Sequence, residues 1–376
     1  MSLAIYRKYR PKKIADIIGQ ENITAIIKNS AAKNKLAHAY LFYGSRGTGK
    51  TTIARILSKI ANCQTREKDL EFAQKGEPCN KCQACLAIDA GQALDVVEID
   101  AASNRGIDEI RDLKENIKTL PSLFNYKVFI IDEVHMLTTQ AFNALLKTLE
   151  EPPTHVIFIL ATTEYEKVPP TIISRTQRFH FRRLTLSEIV SKLEMILKNE
   201  KISYSKEAIE MIAYLADGSL RDAESLLDQI ISLKGENLTV QNVEEILGKV
   251  DFSKTIGMCD LLIKNDLQKS LEFLYDIANK GYNLFQFNKD ITEYLRRVLS
   301  LNLNPHLEEV FKRELAEAEM NEIQKHAKIA NRDRLISLIK SLISAYSQMK
   351  YNPFPIAPFE IAIIENLKDE KPKINL

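Results

Sequence analysis

The chain has 376 residues, of which 45% are hydrophobic and 27% are charged, and its formal net charge is only +2. This length favours two or three domains, and the composition is typical of folded globular proteins and excludes disordered and fibrous classes. With so small a net charge, any nucleic-acid binding must come from local basic patches. We find no apolar signal segment and no run long enough to cross a bilayer, so we expect a cytoplasmic protein without a membrane partner.

Residues 39–181 alternate short apolar runs rich in β-forming residues with helical patterns. The predicted strands are residues 40–43, 96–99, 128–131, 156–160 and 179–181. Between the first two strands, Ile53, Ile56, Leu57 and Ile60 recur at helical spacing. Such alternation is typical of a parallel sheet that is covered by helices. We therefore predict an α/β domain over residues 1–181.

The strand signals fade beyond residue 181, and amphipathic helices dominate. Ile189, Leu193, Ile196 and Leu197 mark one helix face, and the pattern predicts a small helical domain over residues 182–247. The helical pattern continues to near residue 366, with weak breaks at residues 281–283 and 302–305. A third, all-helical domain is therefore predicted over residues 248–376.

A glycine-rich segment follows the first predicted strand directly and precedes a predicted helix. The segment consists of Gly44, Ser45, Arg46, Gly47, Thr48, Gly49, Lys50 and Thr51. It fits the P-loop pattern, in which backbone N–H groups and a helix N-terminus surround a polyphosphate. Lys50 would reach the β- and γ-phosphates, and the Thr51 hydroxyl would coordinate Mg²⁺. The alternative, a chance glycine-rich turn, is disfavoured by the strand and the helix on the correct sides.

Two carboxylates end the predicted strand 128–131. Alone, such a pair is more often a helix cap or a solvated edge, but the P-loop upstream favours the NTPase interpretation. Asp132 would then hold Mg²⁺, mostly through water, and Glu133 would orient or deprotonate the attacking water.

Four of the five cysteines fall in one short stretch: Cys63, Cys79, Cys82 and Cys85. Clustered thiols in a cytosolic chain favour a metal site over disulfides, and four thiolates suffice for one closed structural zinc site. Scattered buried thiols are the weaker alternative. An iron–sulfur cluster is less favoured because the ferredoxin pattern would need a cysteine and a proline soon after Cys85. Cys259 is interpreted as a packed thiol.

Several long strings resemble one protein family. They are residues 6–11 (Tyr-Arg-Lys-Tyr-Arg-Pro), 99–103 (Ile-Asp-Ala-Ala-Ser), 132–137 (Asp-Glu-Val-His-Met-Leu) and 142–153 (Phe-Asn-Ala-Leu-Leu-Lys-Thr-Leu-Glu-Glu-Pro-Pro). With the P-loop, they resemble the gamma/tau subunits of bacterial DNA polymerase III clamp loaders, which are AAA+ ATPases. The resemblance is dense over residues 1–232. It implies an AAA+ domain with a zinc module inserted at residues 63–85, a helical lid and a C-terminal oligomerisation collar.

The resemblance also implies roles for single residues. Thr163 would be the sensor-1 residue near the γ-phosphate, and Arg221 the sensor-2 residue of the lid. Arg175, in a Ser-Arg-Thr string in which Thr176 replaces the family's usual cysteine, would act on ATP bound to a neighbouring subunit. The segment that carries Tyr6, Arg10, Ile17 and Ile18 would surround the adenine, and the candidate DNA contacts are Arg105, Arg111 and Lys147. For these DNA candidates, a solvated helix face is nearly as good an interpretation.

The function implied by the resemblance is an ATPase of the DNA polymerase III holoenzyme that loads a sliding clamp onto primed DNA. Its expected cofactors are ATP, Mg²⁺ and Zn²⁺. Its expected partners are the delta and delta-prime subunits, further copies of itself, the sliding clamp and primer–template DNA. Two alternatives stay open at this point: an AAA+ branch-migration helicase, and a non-hydrolysing structural clamp-loader subunit that resembles delta-prime.

Overall fold

The computed structural model describes residues 4–103, 115–235, 237–247, 252–311 and 317–367. The chain divides into two compact units, Met1–Thr239 and Val240–Leu376. Each unit has its own hydrophobic core. Among the described residues, no helix combines the length and the apolar character that crossing a membrane would require.

A five-stranded parallel sheet organises the first unit. Its strands are β1 (Ala39–Gly44), β2 (Val96–Asp100), β3 (Lys127–Asp132), β4 (Val156–Thr162) and β5 (Gln177–Phe181). They lie in the order β2-β3-β4-β1-β5, so two of the four connections between sequential strands, β1 to β2 and β4 to β5, join strands that are not neighbours in the sheet. All five predicted strands are confirmed. The central strands β3 and β4 read as unbroken apolar runs because both faces of the sheet are covered.

Helices cover both faces of this sheet. Side chains alternate along β3, so that Phe129 and Ile131 join one core cluster, whereas Val128 and Ile130 join the other. The predicted stripe of the helix after the P-loop packs into the second of these clusters. Among the described residues up to β5, the helices are Ile5–Lys8, Glu21–Ala32, Lys50–Asn62, Gln64–Lys68, Leu70–Ala73, Gln83–Ala90, Thr139–Glu150 and Pro170–Ile173, with 3-10 turns at Ile14–Asp16, Val134–Met136 and Tyr165–Lys167.

Three longer helices follow β5 and end the first unit. They are Leu186–Glu200, Lys206–Leu215 and Leu220–Lys234, and their apolar stripes are buried as the helical spacing predicts. A short parallel pair, β6 (Ser203–Tyr204) and β7 (Asn237–Leu238), joins the ends of these helices. This pair is not predictable from the sequence, because two residues are too few to show strand alternation.

The second unit is helical throughout its described residues. Its helices are Val240–Leu247, Phe252–Lys264, Leu267–Asn279, Leu284–Leu303, Glu308–Phe311, Glu317–Ile329, Arg332–Met349 and Ile356–Asn366, with a 3-10 turn at Pro305–Leu307. The predicted break at residues 281–283 is confirmed, and Asn283 caps the next helix by accepting hydrogen bonds from two backbone N–H groups. Cys259 is fully buried in this core, as expected for a packed thiol.

Candidate nucleotide-binding site

The glycine-rich loop connects β1 to the helix Lys50–Asn62. Gly47 and Gly49 have φ angles of +75° and +102°, in the left-handed region that favours glycine. The loop opens onto a cavity of about 470 Å³. The lining residues are Tyr6, Arg10, Pro11, Ile17, Ile18, Arg46, Gly47, Thr48, Gly49, Lys50, Thr51, Thr52, Ile53, Asp100, Ala102, Asp132, Glu133, Leu184, Leu220, Arg221 and Glu224.

Lys50 is a buried cation at the phosphate end of this cavity. Its Nζ donates hydrogen bonds to the carbonyl oxygens of Gly44 and Ser45, at 2.7 and 2.8 Å. Burial lowers the pKa of Lys50, and the charges of Glu133 and Asp132 act in the opposite direction. The carbonyl groups thus solvate the ammonium while it faces the cavity, and an anion in the loop would stabilise its charge.

Thr51 and Asp132 place two oxygen atoms side by side. The Thr51 hydroxyl donates to Asp132 Oδ2 at 2.8 Å, although 81 residues separate them. They meet because β3 ends beside the start of the P-loop helix, at the carboxyl edge of the sheet. A hydroxyl and a carboxylate are the oxygen ligands that Mg²⁺ uses beside phosphates, so this donor set fits a magnesium ion.

Glu133 is held by two donors from the neighbouring strand. Its Oε2 accepts hydrogen bonds from the Thr163 hydroxyl at 2.8 Å and from the Thr163 N–H at 3.1 Å. Thr163 directly follows β4, which pairs with β3 in parallel register. Glu133 itself adopts a left-handed conformation with φ of +48°, which is uncommon outside glycine and clusters at functional sites. The carboxylate therefore has a fixed place in the cavity wall.

The helix Leu220–Lys234 closes the cavity opposite the sheet. The Leu220 N–H donates to the Gly47 carbonyl at 3.2 Å, and a Cβ on Gly47 would overlap the Ser219 hydroxyl. Arg221, the second residue of this helix, places its guanidinium carbon 5.5 Å from the centre of the Tyr6 ring. The predicted lid residue therefore meets the segment predicted to surround the adenine, residues 6–18, which we call the N-terminal arm.

Glu224 is a cavity residue that the sequence analysis missed. Only 5% of it is exposed, and one carboxylate oxygen has no hydrogen-bond partner among the described residues. Burial raises its pKa to about 7, although the charges of Lys192 and Arg10 oppose this shift. The available signal was its position between Ala223 and Leu227 on the buried stripe of its helix, where a charged side chain is unexpected.

The remaining predicted residues lie outside this cavity. Arg175 is 33% exposed, and its guanidinium pairs with Glu150 at 2.6 Å. Lys147 is exposed on the helix Thr139–Glu150. The other two candidate DNA contacts, Arg105 and Arg111, fall outside the described residues.

The four clustered cysteines converge in the segment between the P-loop helix and β2. The sulfur atoms of Cys63, Cys79, Cys82 and Cys85 all lie within 4.8 Å of one another. Zn–S bonds of about 2.3 Å in a tetrahedral site would place the sulfurs about 3.8 Å apart, so this group fits one zinc ion after a small contraction. A hydrogen bond from Cys85 lowers the pKa of the Cys63 thiol, and the same contact raises the pKa of Cys85.

Backbone donors also point at these sulfurs. The N–H groups of Lys81 and Cys82 donate to Cys79 Sγ at 3.4 and 3.2 Å, and that of Cys79 donates to Cys63 Sγ at 3.4 Å. Donors aimed at sulfur stabilise thiolate charge, and the thiolate is the form that binds metal. The chemistry of this cluster therefore suits a metal more than a set of packed thiols.

Three family models match successive parts of the chain. The model described as "DNA polymerase III, delta subunit" matches residues 19–185. The model of the clamp-loader ATPase lid domain matches residues 188–236, and that of domain III of the gamma and tau subunits matches residues 238–372.

Curated relatives match over most of the chain. The DNA polymerase III subunit tau of Bacillus subtilis is 42% identical over 362 residues, which are 96% of this chain and 62% of that protein. The Escherichia coli tau subunit is 39% identical over 80% of this chain and 45% of its own length. The gamma subunit of Buchnera aphidicola from Acyrthosiphon pisum is 36% identical over 95% of this chain and 96% of its own length. The chain thus spans less than two thirds of the two tau subunits and nearly all of this gamma subunit.

Solved structures resemble the chain less closely. The Thermotoga maritima RuvB branch-migration motor is 21% identical with a TM-score of 0.45, over 68% of this chain and 79% of that one. The Bacillus subtilis clamp-loader delta protein is 13% identical with a TM-score of 0.37, over 91% of this chain and 98% of that one. The TM-scores of both structures are below 0.5.

Proposed function

Because this chain belongs to the family of bacterial DNA polymerase III gamma and tau subunits, we propose that it is an AAA+ ATPase subunit of a clamp loader. In this proposal, ATP binding and hydrolysis drive the loading of a sliding clamp onto primed DNA during replication in the cytoplasm. The observation that carries the proposal is the meeting of Lys50, Thr51, Asp132 and Glu133 at one end of a single cavity. A non-hydrolysing subunit would have no use for this complete set.

The phosphate end of the cavity would work by charge and position. Lys50 would turn from the loop carbonyl groups to the β- and γ-phosphates. Thr51 and Asp132 would hold Mg²⁺, which when bound neutralises charge on the phosphate oxygens. Glu133 would accept a proton from, or orient, the attacking water, and Thr163 would keep the Glu133 carboxylate in place.

The other end of the cavity would hold the nucleoside. Tyr6, Arg10, Ile17 and Ile18 all line the cavity, and the aromatic and apolar side chains among them are suited to bury a base. Arg221, on the lid helix, would contact the γ-phosphate of its own subunit. Its contact with the Tyr6 ring would couple the lid to the N-terminal arm.

Arg175 is proposed to act in trans. It lies outside its own chain's cavity, where its guanidinium pairs with Glu150 and also donates to the Thr171 carbonyl and the Ser174 hydroxyl. These exposed contacts would cost little to break, since an exposed ion pair contributes at most about 1 kcal/mol. A guanidinium freed in this way could stabilise charge on the γ-phosphate of a neighbouring subunit.

Further parts of the proposal concern the cysteine cluster, the DNA and the domains. The cluster would hold one structural Zn²⁺, with no ligand position left open for catalysis. Lys147, with Arg105 and Arg111, would contact the DNA backbone without reading its sequence. We keep the division into an ATPase domain (1–181), a lid (182–247) and a collar (248–376). Partners would be delta and delta-prime subunits, further copies of this chain, the sliding clamp and primer–template DNA.

Steady-state phosphate release by the chain, assembled with delta and delta-prime subunits, tests this function. We expect hydrolysis that rises when the sliding clamp and primed DNA are added together. The assembly with Lys50→Ala should hydrolyse ATP at least about 100-fold more slowly, because the buried charge that would meet the phosphates is removed.

The same assay separates the two alternatives. Stimulation by a four-way DNA junction, with no response to the clamp, would favour the branch-migration helicase. Hydrolysis by the wild-type assembly that Lys50→Ala leaves unchanged would assign the activity to another subunit and favour a structural role for this chain.

A further inference from the structure

The segment that carries the cysteines reaches the N-terminal arm through Glu77. Its Oε2 accepts a hydrogen bond from the Ile14 N–H at 2.7 Å, and its Oε1 accepts one from the Ala15 N–H at 2.9 Å. These N–H groups begin the 3-10 turn Ile14–Asp16, where no helical partner exists for them. Lys13, which directly precedes the turn, gives no side-chain cap. Glu77 thus supplies two charge-assisted hydrogen bonds from a distant part of the chain.

Lys59 makes a second connection between the same two segments. It lies on the P-loop helix and is only 1% exposed. Its ammonium group donates to the Lys12 carbonyl at 2.7 Å and to Asn80 Oδ1 and Asp89 Oδ1, both at 2.8 Å. All three donors are therefore used. Because an unpaired buried charge is costly, this ammonium group fixes the three segments against one another.

The four clustered cysteines flank the residues that make these connections. Glu77 precedes Cys79 by two residues, and Asn80 directly follows Cys79. Asp89 lies on the helix Gln83–Ala90, which also carries Cys85. A metal ion bound to all four sulfurs would hold residues 77–89 in place against the end of the P-loop helix, next to Cys63.

The part of the arm that Glu77 and Lys59 contact, residues 12–15, lies in the sequence between two groups of residues that line the cavity. Tyr6, Arg10 and Pro11 line the cavity before Lys12, and Ile17 and Ile18 line it after the 3-10 turn. We propose that Glu77 and Lys59 are positioning residues, which transmit metal binding by the four cysteines to the nucleoside side of the cavity. This inference rests on the proposed function, since it assumes that the cavity binds a nucleotide.

Binding of two ligands to the full chain tests the coupling. A fluorescent ADP reports on the whole cavity, and inorganic tripolyphosphate, which displaces it, reports on the P-loop alone. We expect a zinc-selective chelator, in buffer that contains Mg²⁺, to weaken ADP binding by at least about fivefold. The affinity for tripolyphosphate should stay the same, because the P-loop does not depend on the arm.

Two variants with matched controls separate coupling from unfolding. Glu77→Gln and Lys59→Met should weaken ADP binding to the same extent while zinc stays bound. The exposed neighbours Glu71 and Lys68 serve as controls, and Glu71→Gln and Lys68→Met should bind both ligands as the wild type does. Equal weakening of both ligands by the chelator or by the test variants would indicate general damage and would overturn the proposal.

The remaining outcomes are also decisive. A wild-type chain with the same Kd for ADP before and after zinc removal, or one that takes up no zinc, refutes the coupling and leaves the proposed function standing. A wild-type chain that binds no ADP refutes the proposed function, and the coupling with it.

Discussion

Two hydrogen bonds to the Glu133 carboxylate come from one neighbouring residue, and His135 Nδ1 lies 3.4 Å from the same oxygen. Thr163 donates both its hydroxyl and its N–H to one oxygen, Glu133 Oε2. Glu133 has a left-handed backbone conformation, and its side chain reaches the residue that follows β4. Since a general base must be held within hydrogen-bond reach of its proton, the hydroxyl of Thr163 has a positioning role in the proposed reaction.

Thr163→Ala should therefore slow hydrolysis without abolishing nucleotide binding. We expect kcat to fall by roughly 10- to 100-fold, because the carboxylate loses its hydroxyl donor and with it part of its orientation. The Kd for ATP should change little. Thr163→Ser keeps the hydroxyl and should retain most of the rate in single-turnover hydrolysis. A Thr163→Ala chain with wild-type kcat would show that the hydroxyl does not position Glu133.

Glu224 is a second residue whose environment sets its chemistry. Burial raises its pKa to about 7 from the ordinary value of 4.5. The folded protein therefore binds this proton more tightly than the unfolded chain does. The stabilising contribution of the protonated form is fully present below pH 4.5 and is lost as the pH rises through about 7.

Replacing Glu224 by glutamine should remove this pH dependence. At pH 8, Glu224→Gln is expected to be more stable than the wild type by on the order of 1–3 kcal/mol, because no buried charge has to form. The difference should shrink as the pH falls from 7 toward 5. Chemical unfolding at several pH values measures it, with the exposed Glu71→Gln as the control. A pH-independent difference would contradict the raised pKa.

At the scale of elements, the strands were predictable and the buried charges were not. β3 and β4 are recognisable in the sequence as continuous apolar runs, and the P-loop as a pattern of eight consecutive residues. Lys59 and Glu77, in contrast, look like ordinary surface charges in the sequence. Their partners are up to 63 residues away, so no local pattern reveals them. The site roles that came from family resemblance stay predictions until they are tested.

The cysteine segment makes its own prediction for metal content. We expect one zinc per chain by elemental analysis, because four sulfurs converge and backbone N–H groups stabilise their charge. Cys82→Ser should lose most of this zinc and lower the melting temperature. Cys259→Ala, which alters the buried cysteine of the second unit, should keep the zinc. Unchanged metal content in Cys82→Ser would exclude the proposed site.

For the whole molecule, the cavity contains the proposed phosphate-binding residues of one chain, whereas Arg175 lies outside it. Lys50 and Arg221 line the cavity within one chain, whereas Arg175 is absent from its lining and is paired with Glu150 at the surface. An arginine that serves catalysis from there must act on another subunit. The proposed activity would then belong to the assembly and not to the single chain.

Mixing two inactive chains tests this dependence on assembly. A Lys50→Ala chain cannot use its own ATP but still presents Arg175, and an Arg175→Ala chain binds ATP but offers no guanidinium. Each alone should hydrolyse ATP more slowly than the wild type, by roughly 10³-fold for the loss of the arginine. In mixed assemblies, some Arg175→Ala subunits would sit beside a Lys50→Ala neighbour that supplies the missing group. Phosphate release should therefore pass through a maximum at intermediate mixing ratios, after subunit exchange has been confirmed.

Controls decide whether such a maximum reflects Arg175 itself. Arg178→Ala removes another exposed arginine three residues along the chain, and it should keep the wild-type rate alone and in every mixture. Glu150→Gln breaks the surface ion pair but leaves the guanidinium, so it should preserve hydrolysis, because an exposed pair contributes little to stability. A mixture that shows only the sum of its two components would refute action in trans, as would a wild-type rate from Arg175→Ala alone. Only an arginine that crosses a subunit boundary makes two inactive chains active together.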